Sequence, residues 1–209
     1  WYLNDERVSG QSGVVTSWQY ISDVTLTAHW GSEVTGKGTE SDPYVLLNGS
    51  NMVALSHISM NIGTDDEYAV FGKSNIAASR AELLAASYTL GQDIELKTSD
   101  GYYGIGGNIY SGTSTIDWSN LFSGTFDGNN HTIHLDIDTT TLVSDEGEGD
   151  DDNSIMGHVV FDNGSHTEVL SGVFNYVRNC TIKNVKTTGS VKLATKKSYA
   201  AVLVGSISN

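Results

Sequence analysis

The second half of this chain repeats itself, and few folds accommodate that. Val173, Phe174, Asn175, Val177 and Asn179 recur as Leu203, Val204, Gly205, Ile207 and Asn209, each 30 positions later. An upstream copy sets Ser123, Gly124, Phe126 and Asp127 against Ser171, Gly172, Phe174 and Asn175, each 48 positions later. The difference is about the size of an insertion. Residues 144–153, SDEGEGDDDN, contain no apolar residue and fit as the excursion that lengthens the spacing. A short unit of small strands with Gly and Asn at its corners must stack on its neighbours to bury an apolar face. Alternation in HTIHLDI turns Ile133, Leu135 and Ile137 inward, and CTIKNVKTTGSV does the same for Ile182, with Val185 as a further candidate. Val177 and Ile207 fall at equivalent inward sites. The pattern predicts an all-β chain, a right-handed parallel β-helix (solenoid), with its handedness taken from general crossover chirality.

Charge narrows the partners. Lys and Arg number 11 against 25 Asp and Glu, a net charge of −14. Binding to phosphate backbones draws on Lys and Arg to release counterions, so nucleic acid is not an expected partner. Anionic membranes are disfavoured for the same reason. Apolar runs such as AAVLVGSI are far shorter than the roughly 20 residues of a membrane-spanning helix, so no direct membrane insertion is expected. Gly at 23 and Pro at 1, with only 17% charged residues, point to a turn-rich surface of Ser, Thr, Asn and Gly. Cys180 has no partner for an intrachain disulfide, and its setting NCTIKNV reads as a buried strand. The opening WYLNDERVSG lacks a basic n-region and an apolar h-region, and the chain starts at Trp1, which reads as a piece excised from a longer polypeptide.

Upstream of the repeats, VTLTAHW places Val24, Leu26, Ala28 and Trp30 on one face of a half-buried strand. The run GSEVTGKGTESDP, residues 31–43, then replaces apolar residues with Gly, Ser, Thr and charge and reads as a linker. This divides the chain into a small β appendage at 1–30, a linker at 31–43, and a main domain at 44–209 carrying the insertion at 144–153. Two short helical capping segments are expected at the N-terminal end of that domain, near 51–58 and 79–87. Ser79 and Glu82 supply an S-x-x-E capping box for the second. Strand character returns in YTLGQDIEL, residues 88–96.

Two family resemblances follow from these segments. FSGTFDGNNHTIHLDI resembles the FxGTFDGNGHTI segment that opens many bacterial surface β-solenoids, and VFNYVRNCTIKNVKTTGSV and AAVLVGSISN resemble the GLUG-motif strands that follow it. GTESDPYVL and YTLGQDIEL are similar to the GTxxxPYxI and YxLxxDIDL pieces in the right order. At the N-terminus, Trp1, Tyr2, Val15, Thr16, Asp23, Thr25, Leu26, Ala28 and Trp30 match the last third of the Listeria-Bacteroides repeat, a β-grasp-like cell-surface module. The chain departs from the GLUG pattern at Ala200 and Ala201, at Val173-Phe174-Asn175, and in the acidic insertion. The resemblance implies a non-enzymatic extracellular module on a bacterial cell surface. Such a module displays loops for adhesion to a host protein, a glycan or neighbouring modules of the same surface protein. The alternatives are a carbohydrate-active β-helix enzyme, a glycoside hydrolase or polysaccharide lyase, and a purely structural stalk segment.

The candidate chemistry is sparse. Eight carboxylates lie between Asp136 and Asp152 with no base among them. Oxygen-rich loops can hold Ca²⁺, and Asp145, Glu148, Asp150 and Asp152 are the ligand candidates, although the spacing is not an EF-hand and a solvated acidic loop is the competing reading. Asp65, Asp66 and Glu67 form a smaller cluster read as solvated. A β-helix hydrolase would need facing carboxylates about 5–9.5 Å apart, and Asp127, Asp136 and Asp138 are the starting set. For Asp127 the competing reading is a turn, FDGNN, with the carboxylate on backbone amides and Gly128 at positive φ. His131 and His134 point to opposite faces of one strand and cannot share a metal, and His29, His57, His158 and His166 show no ligand spacing. GIGG, residues 104–107, lacks what a phosphate loop needs. Lys183, Lys186, Lys192, Lys196 and Lys197 read either as a docking strip or as solvent-facing lysines that discourage edge pairing. Tyr102, Tyr103, Tyr110 and Trp118, in Gly- and Ser-rich surroundings, serve either recognition of a sugar or protein or local packing.

Overall fold

Parallel pairing between strands distant in sequence organises the molecule. The structure, a computed structural model, describes residues 2–3, 6–7, 34–74, 76–106, 121–138, 159–162, 167–192 and 198–208. The chain divides into two units, Trp1–Gly31 and Ser32–Asn209. In the first, strands β1 (Tyr2–Leu3) and β2 (Glu6–Arg7) pair antiparallel. The strand expected at 24–30 lies outside the described residues.

In the second unit, β3 (Tyr44–Leu46) is followed by helices α1 (Gly49–Ser59), α2 (Asp65–Val70) and α3 (Ile76–Leu84). Strands β4 (Ser87–Leu90) and β5 (Ile94–Lys97), a 3₁₀ turn at Thr98–Asp100, then β6 (Thr125–Asp127) and β7 (Thr132–Asp138) come next. They are succeeded by β8 (Val159–Asp162), β9 (Thr167–Ser171), β10 (Phe174–Arg178), β11 (Thr181–Lys183), β12 (Lys186–Lys192), β13 (Ser198–Ala200) and β14 (Val204–Ser208). One sheet runs β11-β6-β4-β3 and a second β12-β7-β5, both wholly parallel. Strands β10 and β14 pair parallel, β13 pairs β9 parallel, and β9 pairs β8 antiparallel.

The expected all-β right-handed parallel β-helix is overturned: helices and parallel strands are mixed, and the strands are divided among several small sheets rather than closed into a solenoid. The physical reason lies in residues 49–84, where Ala, Leu, Met and Ser runs without strand alternation carry helix caps. Asn48 caps α1, its Oδ1 accepting the Asn51 amide at 3.0 Å. Buried residues on nearly every face of α1, among them Met52, Leu55, Ser56, Ile58 and Ser59, make it part of the core rather than a lid on it. The second helix was not expected. It starts at Thr64, whose side chain accepts the Glu67 amide while the Glu67 carboxylate accepts the Thr64 amide, a full capping box. The box expected at Ser79 and Glu82 does not form, because α3 already begins at Ile76 and Ser79 is buried within it.

Register explains the core. Tyr44 lies opposite Tyr88, Tyr88 opposite Phe126, and Phe126 opposite Ile182, which makes one inward row across four strands. Ile133, Leu135 and Ile137 point inward as the alternation requires, with Ile182 and Val185 packed against the same core. The 30-residue repeat is a true strand register, Phe174 opposite Val204 and Val177 opposite Ile207. Its two copies are nonetheless unlike. Val177 is 1% exposed and Ile207 is 70% exposed, so the expected inward site at Ile207 is corrected: β14 pairs with β10 alone among the described strands. The 48-residue match is not a register at all. Phe126 pairs with Ile182, and it meets Phe174 only as a side chain, ring edge to face at 5.2 Å. Both Phe126 and Phe174 are fully buried, so each site calls for an aromatic without the two sharing a ladder.

In the FDGNN turn the left-handed residues are Asn129 (φ 49) and Asn130 (φ 64), not Gly128. Gly128 is required for another reason, since a Cβ there would lie 2.5 Å from the Asn184 carbonyl oxygen. Among the described residues no helix is long and apolar enough to cross a membrane.

Candidate functional site

The outer face of the β12-β7-β5 sheet is a polar grid fixed by register. Because Ile133, Leu135 and Ile137 turn inward, His134 and Asp136 turn out and are exposed. Glu95 and Thr188 lie on either side of His134, and Lys97 and Ser190 on either side of Asp136. His134 Nδ1 and Thr188 Oγ1 are 3.0 Å apart. Lys97 pairs with Glu95 at 2.8 Å, and Lys192 donates to Asp138 at 3.2 Å. At one end of the sheet Asp93 accepts the Thr132 amide at 2.8 Å and faces His131 at 3.3 Å. The Thr132 amide, with His131 and Lys186 nearby, holds the Asp93 carboxyl below the usual carboxylate range.

A second, more enclosed constellation centres on His57, near the end of α1. Its Nδ1 lies 2.5 Å from Glu67 Oε1 and its Nε2 lies 2.8 Å from the Gly101 carbonyl oxygen. The ring stacks on Tyr103, centroids 5.5 Å apart at 22°. The side chains of His57 and Glu67 are only 20% and 19% exposed. A carboxylate and a carbonyl both accept, so the ring makes both hydrogen bonds at once only when both of its nitrogens carry a proton. The hydrogen bond to Glu67 raises the His57 pKa against the opposing effect of burial. Burial alone would raise the Glu67 carboxyl, but hydrogen bonds from His57 and the Thr64 amide outweigh it and hold the group below its ordinary value. One sequence signal points to this cluster, the T-x-x-E box at Thr64 and Glu67. His57 showed none, because its partners lie 10 and 44 positions away.

The residues singled out from sequence scatter. Tyr102 is fully buried and donates its hydroxyl to the Val173 carbonyl at 2.6 Å, so its role is packing, not recognition. Burial pushes its phenol pKa well up. Tyr103 is partly exposed; its amide donates to Ser56 Oγ at 3.2 Å and its carbonyl accepts from Asn175 Nδ2 at 2.7 Å. Tyr110 and Trp118 lie outside the described residues, as do Asp145, Glu148, Asp150 and Asp152, so the calcium candidates have no geometry. Among the described residues, no group of three or more His, Cys, Asp or Glu side chains is placed to hold a metal ion.

Asp127 is a turn residue. It accepts the Asn129 amide at 2.9 Å and the Asn184 side-chain amide at 3.0 Å, and pairs with Lys183 at 3.3 Å. Those contacts, Asn184 foremost, hold its carboxyl below the usual range. It stands on β6, whereas Asp136 and Asp138 stand on β7 in a different sheet. Lys183 and Lys192 are drawn onto Asp127 and Asp138, and Lys196 and Lys197 lie outside the described residues. Cys180 is partly buried, which pushes its thiol pKa up and away from reactivity. The GIGG glycines are backbone fittings: a Cβ at Gly104 would lie 2.2 Å from Asn175 Oδ1, and one at Gly106 2.0 Å from the Tyr176 carbonyl oxygen. No known family, curated protein or solved structure matches the chain.

Proposed function

We propose that this chain is a non-enzymatic extracellular module of a bacterial surface protein that displays its outer face and loops for adhesion to a host protein or a glycan. The observation that carries the reading is the state of the carboxylates a hydrolase would use. Asp127 is committed to Asn129, Asn184 and Lys183 and stands in a different sheet from Asp136 and Asp138; Asp138 pairs with Lys192, and Asp136, on the same strand, lies between Lys97 and Ser190 on the open sheet face. What the surface offers is a grid of Thr, Ser, His, Lys and Glu side chains held at strand spacing, suited to many weak polar contacts. In the sequence the acidic insertion, residues 144–153, falls between β7 and β8. The extracellular bacterial setting rests on the resemblance of the FSGTFDGNNHTIHLDI segment and its companions to surface modules.

The test is a glycan and host-protein array probed with the full 209-residue chain, with the retained ligands recovered and analysed for turnover. Retention of a ligand, lost when Thr188, Ser190 and His134 are replaced by Ala, supports the reading. Retention that those substitutions leave untouched removes the grid from it.

A further inference from the structure

We propose that His57, Glu67 and the Gly101 carbonyl form a pH-operated latch that holds α2 and the turn at residues 98–101 against α1 in weak acid and releases them as pH rises. Three segments meet on one ring, at 2.5 Å on the Glu67 side, ten positions away, and 2.8 Å on the Gly101 side, 44 positions away. Both contacts need an N–H donor, and a neutral imidazole has one. On deprotonation one oxygen must face a nitrogen lone pair, so the latch loses one of its two arms whichever tautomer is taken.

The helix the latch holds is weak by construction. Six residues are too few to persist without tertiary support. Its capping box depends on Glu67, whose Oε2 accepts the Thr64 amide at 2.8 Å while Oε1 holds His57. Tyr68 is its one buried residue. One carboxylate therefore both starts the helix and ties it down. Such an element opens locally at small cost when a tie is lost.

Among the described residues Glu67 is the one charged group that acts on the ring. Glu67 faces it from α2, and Tyr103 stacks on it from the segment after Gly101. On α1 itself His57 is the only ionisable side chain. Arg80 of α3 donates to the Ile58 and Ser59 carbonyls at the end of α1. Asp100 accepts from Ser99, and Asp65 and Asp66 are exposed at the start of α2. The direction follows from linkage. His57 has a raised pKa, so its contribution is complete below the ordinary value of 6.5 and is lost as pH rises through the raised value. Glu67 has a lowered pKa, so its contribution is complete above 4.5 and is lost as pH falls through the depressed value. The latch is closed between these limits.

The test follows the His57 ring by NMR from about pH 4 to pH 9 and, in the same samples, amide exchange at Glu67 and Tyr68, in the wild-type chain and in H57Q, E67Q and H134Q. Exchange protection, corrected for the intrinsic pH dependence, should fall about tenfold as His57 deprotonates, the scale of one charge-assisted hydrogen bond. The fall should be absent in H57Q and E67Q and retained in H134Q. Flat protection in the wild type while the ring titrates overturns the latch, and so does a fall that survives in H57Q. The wild-type titration stands alone if either latch variant does not fold.

Discussion

Val177 and Ile207 are register partners in a parallel pair, yet one is 1% exposed and the other 70%. Truncating each to Ala measures what that difference is worth. At Val177 two methyl groups leave a packed core, about 1.6 kcal/mol at roughly 0.8 kcal/mol per group. Residual cavity adds about 1 kcal/mol, because neighbours such as Phe122, which bridges to Val177, relax only in part. The expected cost is therefore about 2–3 kcal/mol for Val177→Ala. Ile207→Ala removes side chain already in water and should stay within about 0.5 kcal/mol. For a domain of this size 1 kcal/mol moves the Tm by roughly 2–4 °C, so V177A should melt about 5–10 °C lower and I207A within about 2 °C of the parent. Urea unfolding, with the slope checked for constancy, gives the free energies directly. Equal destabilisation by the two substitutions would refute the burial asymmetry and with it the placement of β14.

Three further outcomes are expected. Thr64→Ala should cost about 1 kcal/mol in denaturant unfolding through loss of the α2 capping box, whereas Ser79→Ala should cost under about 0.5 kcal/mol, since no cap forms there; the reverse order would place the helix starts wrongly. Gly106→Ala should be far more damaging to the melting temperature than Gly72→Ala: both have positive φ, but a Cβ at Gly106 meets the Tyr176 carbonyl oxygen at 2.0 Å and one at Gly72 meets nothing within 4 Å. Deleting residues 146–152 should leave the melting of the Ser32–Asn209 unit unchanged, and calcium titration should give no heat; a heat that the deletion abolishes would assign the acidic insertion to Ca²⁺ through residues such as Asp145, Glu148, Asp150 and Asp152.

What sequence reveals here is what local chemistry decides. The period of two in HTIHLDI forces Ile133, Leu135 and Ile137 to one side, and they are buried. The 30-residue repeat carried its register because copy and original are paired strands. The 48-residue match misleads because Phe126 and Phe174 meet ring to ring in the core rather than across a ladder. Helix α2 was missed because TDDEYAV presents three acids and little apolar periodicity, although Thr64 and Glu67 spell its cap. The helices expected near 51–58 and 79–87 are present as α1 and α3, but the all-β reading took them for caps; they belong to the core, where buried Ser56 and Ser59 are satisfied by Gly104 and by the end of α1, contacts with no signature in a single segment. In sequence Tyr102 reads equally as a recognition residue and as a packing residue, because its surroundings are rich in Gly and Ser. Its burial depends on the Val173 carbonyl 71 positions away. The His57 cluster stayed hidden for the same reason.

The proposal that the chain binds without chemistry is tested most directly on the fate of a bound ligand. A glycan or host protein retained on the array is titrated to saturation with the full chain, incubated in excess over it, and recovered for mass spectrometry. A saturable isotherm and a ligand of unchanged mass are expected. Cleavage of many ligand molecules per chain, lost in D127N, D136N or D138N, would contradict the proposal and make the chain an enzyme.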